Sequence, residues 1–229
     1  SWSPQMLKIL SQKFKLIVFD HRGMGKSTST DEEFSIELFT KDLFNLLNAL
    51  NITKAHLLGY SMGVYVGLNF VLKHPDMVDN LILYGGSCGG KELVPASIEV
   101  MQSLEDILNL SMKDPQKFFS LFFPDDWLRT HKNVHQYVPI PEVIPSQENI
   151  HKQFKALISY KGVYDRLKEI NNKTLIVTGK DDIVIPAENS VILAKKINQS
   201  LLLTMKGGHG LMWQRPDDLA VNILNFLES

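Results

Sequence analysis

Ser61 stands between two glycines in the run Gly59-Tyr60-Ser61-Met62-Gly63, where a short apolar stretch, residues 54–58, hands over to a longer one, residues 64–72, that closes at His74-Pro75. A serine hydroxyl is a poor nucleophile near its own pKa. It reacts when an imidazole takes its proton and a carboxylate fixes the imidazole tautomer and stabilises the imidazolium. Two later stretches offer those groups, Gly179-Lys180-Asp181-Asp182-Ile183-Val184-Ile185-Pro186 and Lys206-Gly207-Gly208-His209-Gly210. The order Ser, Asp, His is the one expected when the serine sits on a sharp strand-to-helix turn, a turn that also asks for little bulk at positions 59 and 63. Of the adjacent aspartates, Asp182 is assigned as the acid, because it lies far enough past Gly179 to face inward, which leaves Asp181 in solvent. The backbone amide of Met62, at a helix start, is the expected donor to an oxyanion. A second donor should come from a loop after an earlier strand, and the sequence supplies none.

These groups can meet only if their segments leave one edge of a shared sheet. Lys15-Leu16-Ile17-Val18-Phe19-Asp20 reads as a buried strand, preceded by a helix-like segment from about Pro4 to Gln12. A helix is predicted from about Ser35 to Leu50, since Phe39, Leu43, Leu46, Leu47 and Leu50 recur at spacings of three and four and Ser35 can cap its start. Strands follow at the approach to Ser61, at Leu81 to Tyr84, at Thr174 to Thr178 and at Leu201 to Met205. Helices are predicted from Glu188 to Ile197 and from about Pro216 to Leu227. This alternation implies an α/β fold with a mostly parallel, doubly wound sheet, whose active groups lie at the carboxyl ends of the strands.

Between Cys88 and Asn172 the alternation stops. Met101, Met112, Phe118, Phe119, Phe122, Phe123 and Trp127 precede a proline-marked segment, Pro139-Ile140-Pro141-Glu142-Val143-Ile144-Pro145. The stretch reads as a helical insertion over the carboxyl edge, with most of these aromatics forming its own small core and the remainder available as pocket walls. The expected division is a core of residues 1–87 and 173–229 and a helical cap insertion of residues 88–172.

Composition narrows the function. With 229 residues, 44% of them hydrophobic, the chain can bury one sizeable core, and 24 Lys and Arg against 25 Asp and Glu leave a formal charge of −1. No overall field favours nucleic acid or an anionic membrane; an uncharged small molecule fits the balance. The single Cys88 can form no internal disulfide, and no run approaches the roughly 18 apolar residues of a membrane span. The amino end lacks the features of a signal peptide, so the expected location is cytoplasmic. No cofactor or metal is expected. Gly25-Lys26-Ser27 imitates the end of a phosphate-binding loop, but Asp20 stands where that loop needs glycine. His131 and His135 are four apart with no evident third ligand. His21, His56, His74 and His151 receive no role, and nothing in the sequence bears on oligomeric state.

Taken together these residues resemble the α/β-hydrolase superfamily, in particular its esterase, lactonase and carbon–carbon-bond hydrolase branches with a helical cap. Residues 19–27 look like the family's D-x-R-G-x-G-x-S turn, Gly59 to Gly63 like its nucleophile elbow, Asp182 within G-x-x-D-x-x-x-P like its acid, and Gly208-His209 like its base. The resemblance implies a capped, mostly parallel sheet in which Ser61, Asp182, His209 and the Met62 amide act as nucleophile, acid, base and oxyanion donor. The implied activity is cofactor-independent hydrolysis of a small or medium carboxylic ester or lactone. Two alternatives accompany it. One is cleavage of a carbon–carbon bond in a dienone-type acid, with Lys152, Lys155, Lys161 or Arg166 receiving the substrate carboxylate; the other is a hydrolase-like ligand receptor with little turnover.

Two departures from the family pattern stand out. Val64 replaces a residue that is usually small, so looser helix packing after the elbow is expected. Family members also carry further strands before this chain's first one, including the strand that delivers the second oxyanion donor and lies between the strands of Val18 and Leu57. The first strands are therefore expected to be absent, and the 229 residues are expected to be a carboxyl-terminal portion of a longer protein; an intact mass near 26.0 kDa would refute this.

Overall fold

The computed structural model describes residues 2–109, 115–139 and 142–229; Met112, Ile140 and Pro141 lie outside the described residues. Four parallel strands form one sheet in chain order: β1 (Ala55–Tyr60), β2 (Val78–Tyr84), β3 (Lys173–Gly179) and β4 (Ser200–Met205). Tyr60 pairs with Tyr84, Tyr84 with Val177, and Gly179 with Met205, so the carboxyl ends of the strands finish close together along one edge.

The period-two alternation of the strands sorts their side chains between two apolar clusters. Leu81, Leu83 and Ile176 face a cluster with α2 (Ile36–Ala49), α3 (Met62–Lys73) and Leu193 of α8 (Glu188–Lys196). Ile82, Tyr84, Leu175 and Val177 face the other, with α1 (Pro4–Leu10), α9 (Leu211–Gln214) and α10 (Pro216–Glu228). Each fully buried aliphatic side chain is worth roughly 1.5–3 kcal/mol, and these layers hold the carboxyl edge in place. Local signals set the helix starts: the hydroxyls of Ser3 and Ser35 accept the amides of Met6 and Leu38. Among the described residues no helix is long and apolar enough to cross a membrane.

The expected strand at residues 15–20 is not formed. The segment is free of ladder pairing, and Ile17 and Val18 are 40% and 53% exposed. A strand exists by virtue of its neighbour's hydrogen bonds, and among the described residues β1 has β2 on one side and no strand on the other.

Residues 88–172 carry α4 (Ile98–Leu108), α5 (Pro115–Phe122), α6 (Asp125–Thr130) and α7 (Gln147–Ile158), and no strand among the described residues. The chain enters and leaves this helical stretch through a narrow neck, where the Val163 amide donates to the Cys88 carbonyl at 3.0 Å. Gly90 and Gly162 have φ of 71° and 79°, and a Cβ on either would collide with the backbone of the other side. The aromatics of the insertion do not form a core of their own. Phe123, 2% exposed, stacks on Trp127 at 4.6 Å and joins the cluster of α9 and α10, with Phe119, Phe122 and Trp127 packed against the same cluster. The reason is the placement of the carboxyl end of α5, which lies against the loop before α9 and carries its aromatics with it.

Candidate active site

At the end of β1 the chain turns so sharply that Ser61 adopts φ 54° and ψ −117°. A non-glycine residue in such a region costs of order 1–3 kcal/mol and persists only where its surroundings hold it. Here the Ser61 amide donates to the Tyr84 carbonyl at 2.9 Å, and the Val64 amide donates to the Ser61 carbonyl at 2.9 Å. Gly59 is required because a Cβ there would overlap the Gly63 carbonyl. Gly63 is not: a Cβ on it would meet nothing within 4 Å, so the demand for small size falls on one side of the serine only. Nor is packing looser at Val64. Its side chain is fully buried, and Gly86 on the neighbouring segment makes room for it, since a Cβ at Gly86 would overlap the Val64 side chain.

The three side chains singled out in the sequence come together. His209 Nε2 lies 3.1 Å from Ser61 Oγ, and His209 Nδ1 lies 2.8 Å from Asp182 Oδ2. The other carboxylate oxygen, Asp182 Oδ1, accepts the amides of Val184 at 3.0 Å and Ile185 at 2.9 Å, so neither oxygen is left bare in a residue only 5% exposed. A carboxylate at Nδ1 selects the tautomer with its proton on that nitrogen, which turns the Nε2 lone pair toward the serine hydroxyl. Met62 opens α3, so its amide is among those without an acceptor inside the helix and stands directly after Ser61.

Asp181 is not free in solvent. Its carboxylate accepts the Gly207 amide at 3.1 Å and its own amide donates to the Gly207 carbonyl at 2.9 Å, tying the loop after β3 to the loop that carries His209. The adjacent aspartates thus divide the work, one holding the imidazole and the other the backbone leading to it.

Further residues that grip the histidine loop were not singled out from the sequence. The hydroxyls of Tyr60 and Tyr84 both donate to the His209 carbonyl, at 3.1 and 2.8 Å. Gln214 Oε1 accepts the Gly208 amide at 2.8 Å, and the Phe122 carbonyl accepts the Gly210 amide at 2.8 Å, so the insertion touches this loop directly. Phe122 also places its ring 5.9 Å from the imidazole. The one available signal was the coincidence of tyrosines at the carboxyl ends of two strands; the Phe122 contact depends on tertiary packing and left no trace.

The cations considered for a substrate carboxylate are largely engaged. Lys152 pairs with Glu148 at 2.7 Å, Lys155 with Glu33 at 2.9 Å and Arg166 with Glu169 at 2.8 Å, while Lys161 lies at the neck beside Gly90. Arg22 is held by Asp42, at 3.0 Å from Nε and 2.6 Å from Nη2. His131 stacks on Trp127 at 4.1 Å and His135 meets Phe119 edge-on. Among the described residues no group of three His, Cys, Asp or Glu could hold a metal ion.

Residues 1–132 match the sequence model of the alpha/beta hydrolase fold. The chain belongs to that family. A curated relative from Pantoea ananatis (strain LMG 20103), named "Putative carbamate hydrolase RutD", is 30% identical over 232 residues, covering 99% of this chain and 83% of the relative. The solved enol-lactonase from Burkholderia xenovorans LB400 superposes with a TM-score of 0.83 at 19% identity, over 99% of this chain and 85% of that one. A thermophilic esterase from Thermogutta terrifontis does so with a TM-score of 0.81 at 23% identity, over 99% and 86%. As an α/β-hydrolase the chain has an enzyme's fold and general hydrolase character, and the parallel sheet with its helices is the family's core.

Proposed function

We propose that this α/β-hydrolase is a serine hydrolase that cleaves a small or medium, largely uncharged carboxylic ester or lactone through an acyl-enzyme on Ser61. The observation that carries the reading is the contact relay from Ser61 Oγ to His209 Nε2 at 3.1 Å and from His209 Nδ1 to Asp182 at 2.8 Å. His209 takes the Ser61 proton as the oxygen attacks the carbonyl carbon. The negative charge that forms on the carbonyl oxygen is met by the Met62 amide at the positive end of α3. Collapse of the tetrahedral intermediate expels the alkoxide, which receives the proton from His209 and leaves an ester on Ser61. Water, deprotonated in turn by His209, releases the acid and restores the serine. Asp182 remains ionised throughout and stabilises the imidazolium. Residues 88–172 act as a cap over this edge and residues 1–87 and 173–229 as the core.

A second reading has a specific observation behind it: a relative aligned over 99% of this chain is named "Putative carbamate hydrolase RutD". The same steps serve a carbamate, with a slower first step because the nitrogen lone pair makes the carbonyl carbon less electrophilic. Cleavage of a carbon–carbon bond in an anionic substrate is disfavoured, since three of the four cations considered for its carboxylate are already neutralised by glutamates.

The test is turnover of a panel of p-nitrophenyl esters, lactones and carbamates by the protein and by Ser61→Ala. The expected result is hydrolysis of an ester or lactone that falls at least about 10^3-fold in the variant, with an unchanged melting temperature. Carbamate turnover exceeding ester and lactone turnover moves the assignment to the second reading. Equal activity of Ser61→Ala removes the nucleophile from the account. Labelling by a fluorophosphonate probe separates an activated serine from a receptor that binds without turnover.

A further inference from the structure

We propose that Tyr84, assisted by Tyr60, fixes the separation of nucleophile and base, a positioning role that rests on the hydrolase reading above. Tyr84 is bonded to both partners at once. Its main-chain carbonyl receives the Ser61 amide at 2.9 Å, and its hydroxyl donates to the main-chain carbonyl of His209 at 2.8 Å. One residue with two side-chain torsions therefore spans from the strained elbow to the loop that carries the imidazole.

That loop needs an external hold. His209 follows Gly207 and Gly208 and precedes Gly210, a backbone with little conformational preference of its own. Two phenols converge on its carbonyl, and the Met212 amide donates to the Tyr84 oxygen at 3.1 Å, closing a chain of bonds from α9 to the histidine. The rings are themselves constrained: Tyr60 and Tyr84 are register partners at the ends of β1 and β2, stacked at 4.7 Å, and the Tyr60 ring lies 5.0 Å from the imidazole. Burial pushes both phenols far above their ordinary ionisation range, so each remains an O–H donor at any pH where the enzyme works. A displacement of about 1 Å between reacting groups is enough to cost of order 100-fold in rate, which is the scale a shared support for Ser61 and His209 can influence.

The experiment compares Tyr60→Phe, Tyr84→Phe and the double variant, which keep the rings and their stack and remove only the hydroxyls. Two readouts are taken: the second-order rate of fluorophosphonate labelling at Ser61, and the NMR signal of the proton shared between His209 Nδ1 and Asp182. The expected result is a labelling rate lower by about 10-fold in Tyr84→Phe and by about 30-fold or more in the double variant, with a broadened or lost Nδ1 signal. If Tyr84→Phe does not fold, Tyr60→Phe alone is expected to label about 3-fold more slowly. An unchanged labelling rate in folded variants overturns the proposal, and a lowered melting temperature alongside that unchanged rate reduces the tyrosines to packing. A wild-type protein that never labels sinks the hydrolase reading instead. In that event the Nδ1 proton still decides the positioning role: an identical signal in the double variant rejects it, and its loss supports it.

Discussion

The tripeptide Leu-Ile-Val occurs twice, as Leu16-Ile17-Val18 and as Leu175-Ile176-Val177, with opposite fates. In β3 it lies between two strands and is exposed by 4%, 0% and 0%. In the amino-terminal segment Ile17 and Val18 are 40% and 53% exposed and no ladder forms. Identical local preferences therefore do not decide the outcome. A hydrogen-bonding neighbour does: β3 has one on each side, and residues 15–20 have none among the described residues. The chemistry follows the same division: the loop after β3 delivers Asp181 and Asp182, both bonded to the His209 loop, whereas the segment ending at Asp20 closes a turn of its own, with the Asp20 carboxylate accepting the Lys26 amide at 3.0 Å.

Substitutions along the two runs test this difference. The largest effect is expected in the loop after β3, where Asp182→Asn places a hydrogen-bond donor against Nδ1 and favours the wrong imidazole tautomer. Turnover, measured by steady-state kinetics on whichever panel substrate is active, should fall about 10^3- to 10^4-fold with little change in KM. Next comes Ile176→Ala within β3 itself, expected to cost about 2–5 kcal/mol in urea unfolding, because the side chain is fully buried among close-packed neighbours.

A smaller effect is expected at His21, just past the exposed run. Burial against Phe19 and Phe39 lowers its pKa below the ordinary 6.5, overriding the opposing pull of Asp42 and Asp20. The unfolded chain therefore binds a proton that the folded chain resists, and stability present above pH 6.5 is lost as pH falls below it. Unfolding of the wild type and of His21→Phe at pH 7.5 and 5.5 should show the wild type losing more on acidification, by no more than about 1.4 kcal/mol. The smallest change belongs to Val18→Ala, expected within about 0.5 kcal/mol of wild type by the same method. A loss at Val18 comparable with that at Ile176 would erase the distinction between the two runs.

Much of the architecture was written in local patterns. The four-residue spacing of Phe39, Leu43 and Leu47 located α2, and all three side chains are buried on it. The turn at Gly59 to Gly63, the aspartate past Gly179 and the histidine after Gly208 were legible only together, through the order Ser, Asp, His at the carboxyl ends of expected strands, and the three side chains meet at hydrogen-bonding distance. What escaped were properties of pairs. Val64 alone suggests loose packing; its fit depends on Gly86, which is brought to it by the sheet. Asp181 alone suggests a solvated loop residue; its bond to Gly207 exists because β3 and β4 run parallel in register. The aromatics at 118–127 suggested a separate core because nothing in their spacing says that Trp213 will be their neighbour.

The neck at Gly90 and Gly162 fixes where the helical stretch between β2 and β3 begins and ends. Because the insertion is stitched to the sheet at a crossing too tight for a methyl group, entry and exit are fixed beside each other whatever lies between. The neck works as a clasp that holds the two ends of the helical stretch together, while the Phe122 carbonyl fastens its interior to the histidine loop.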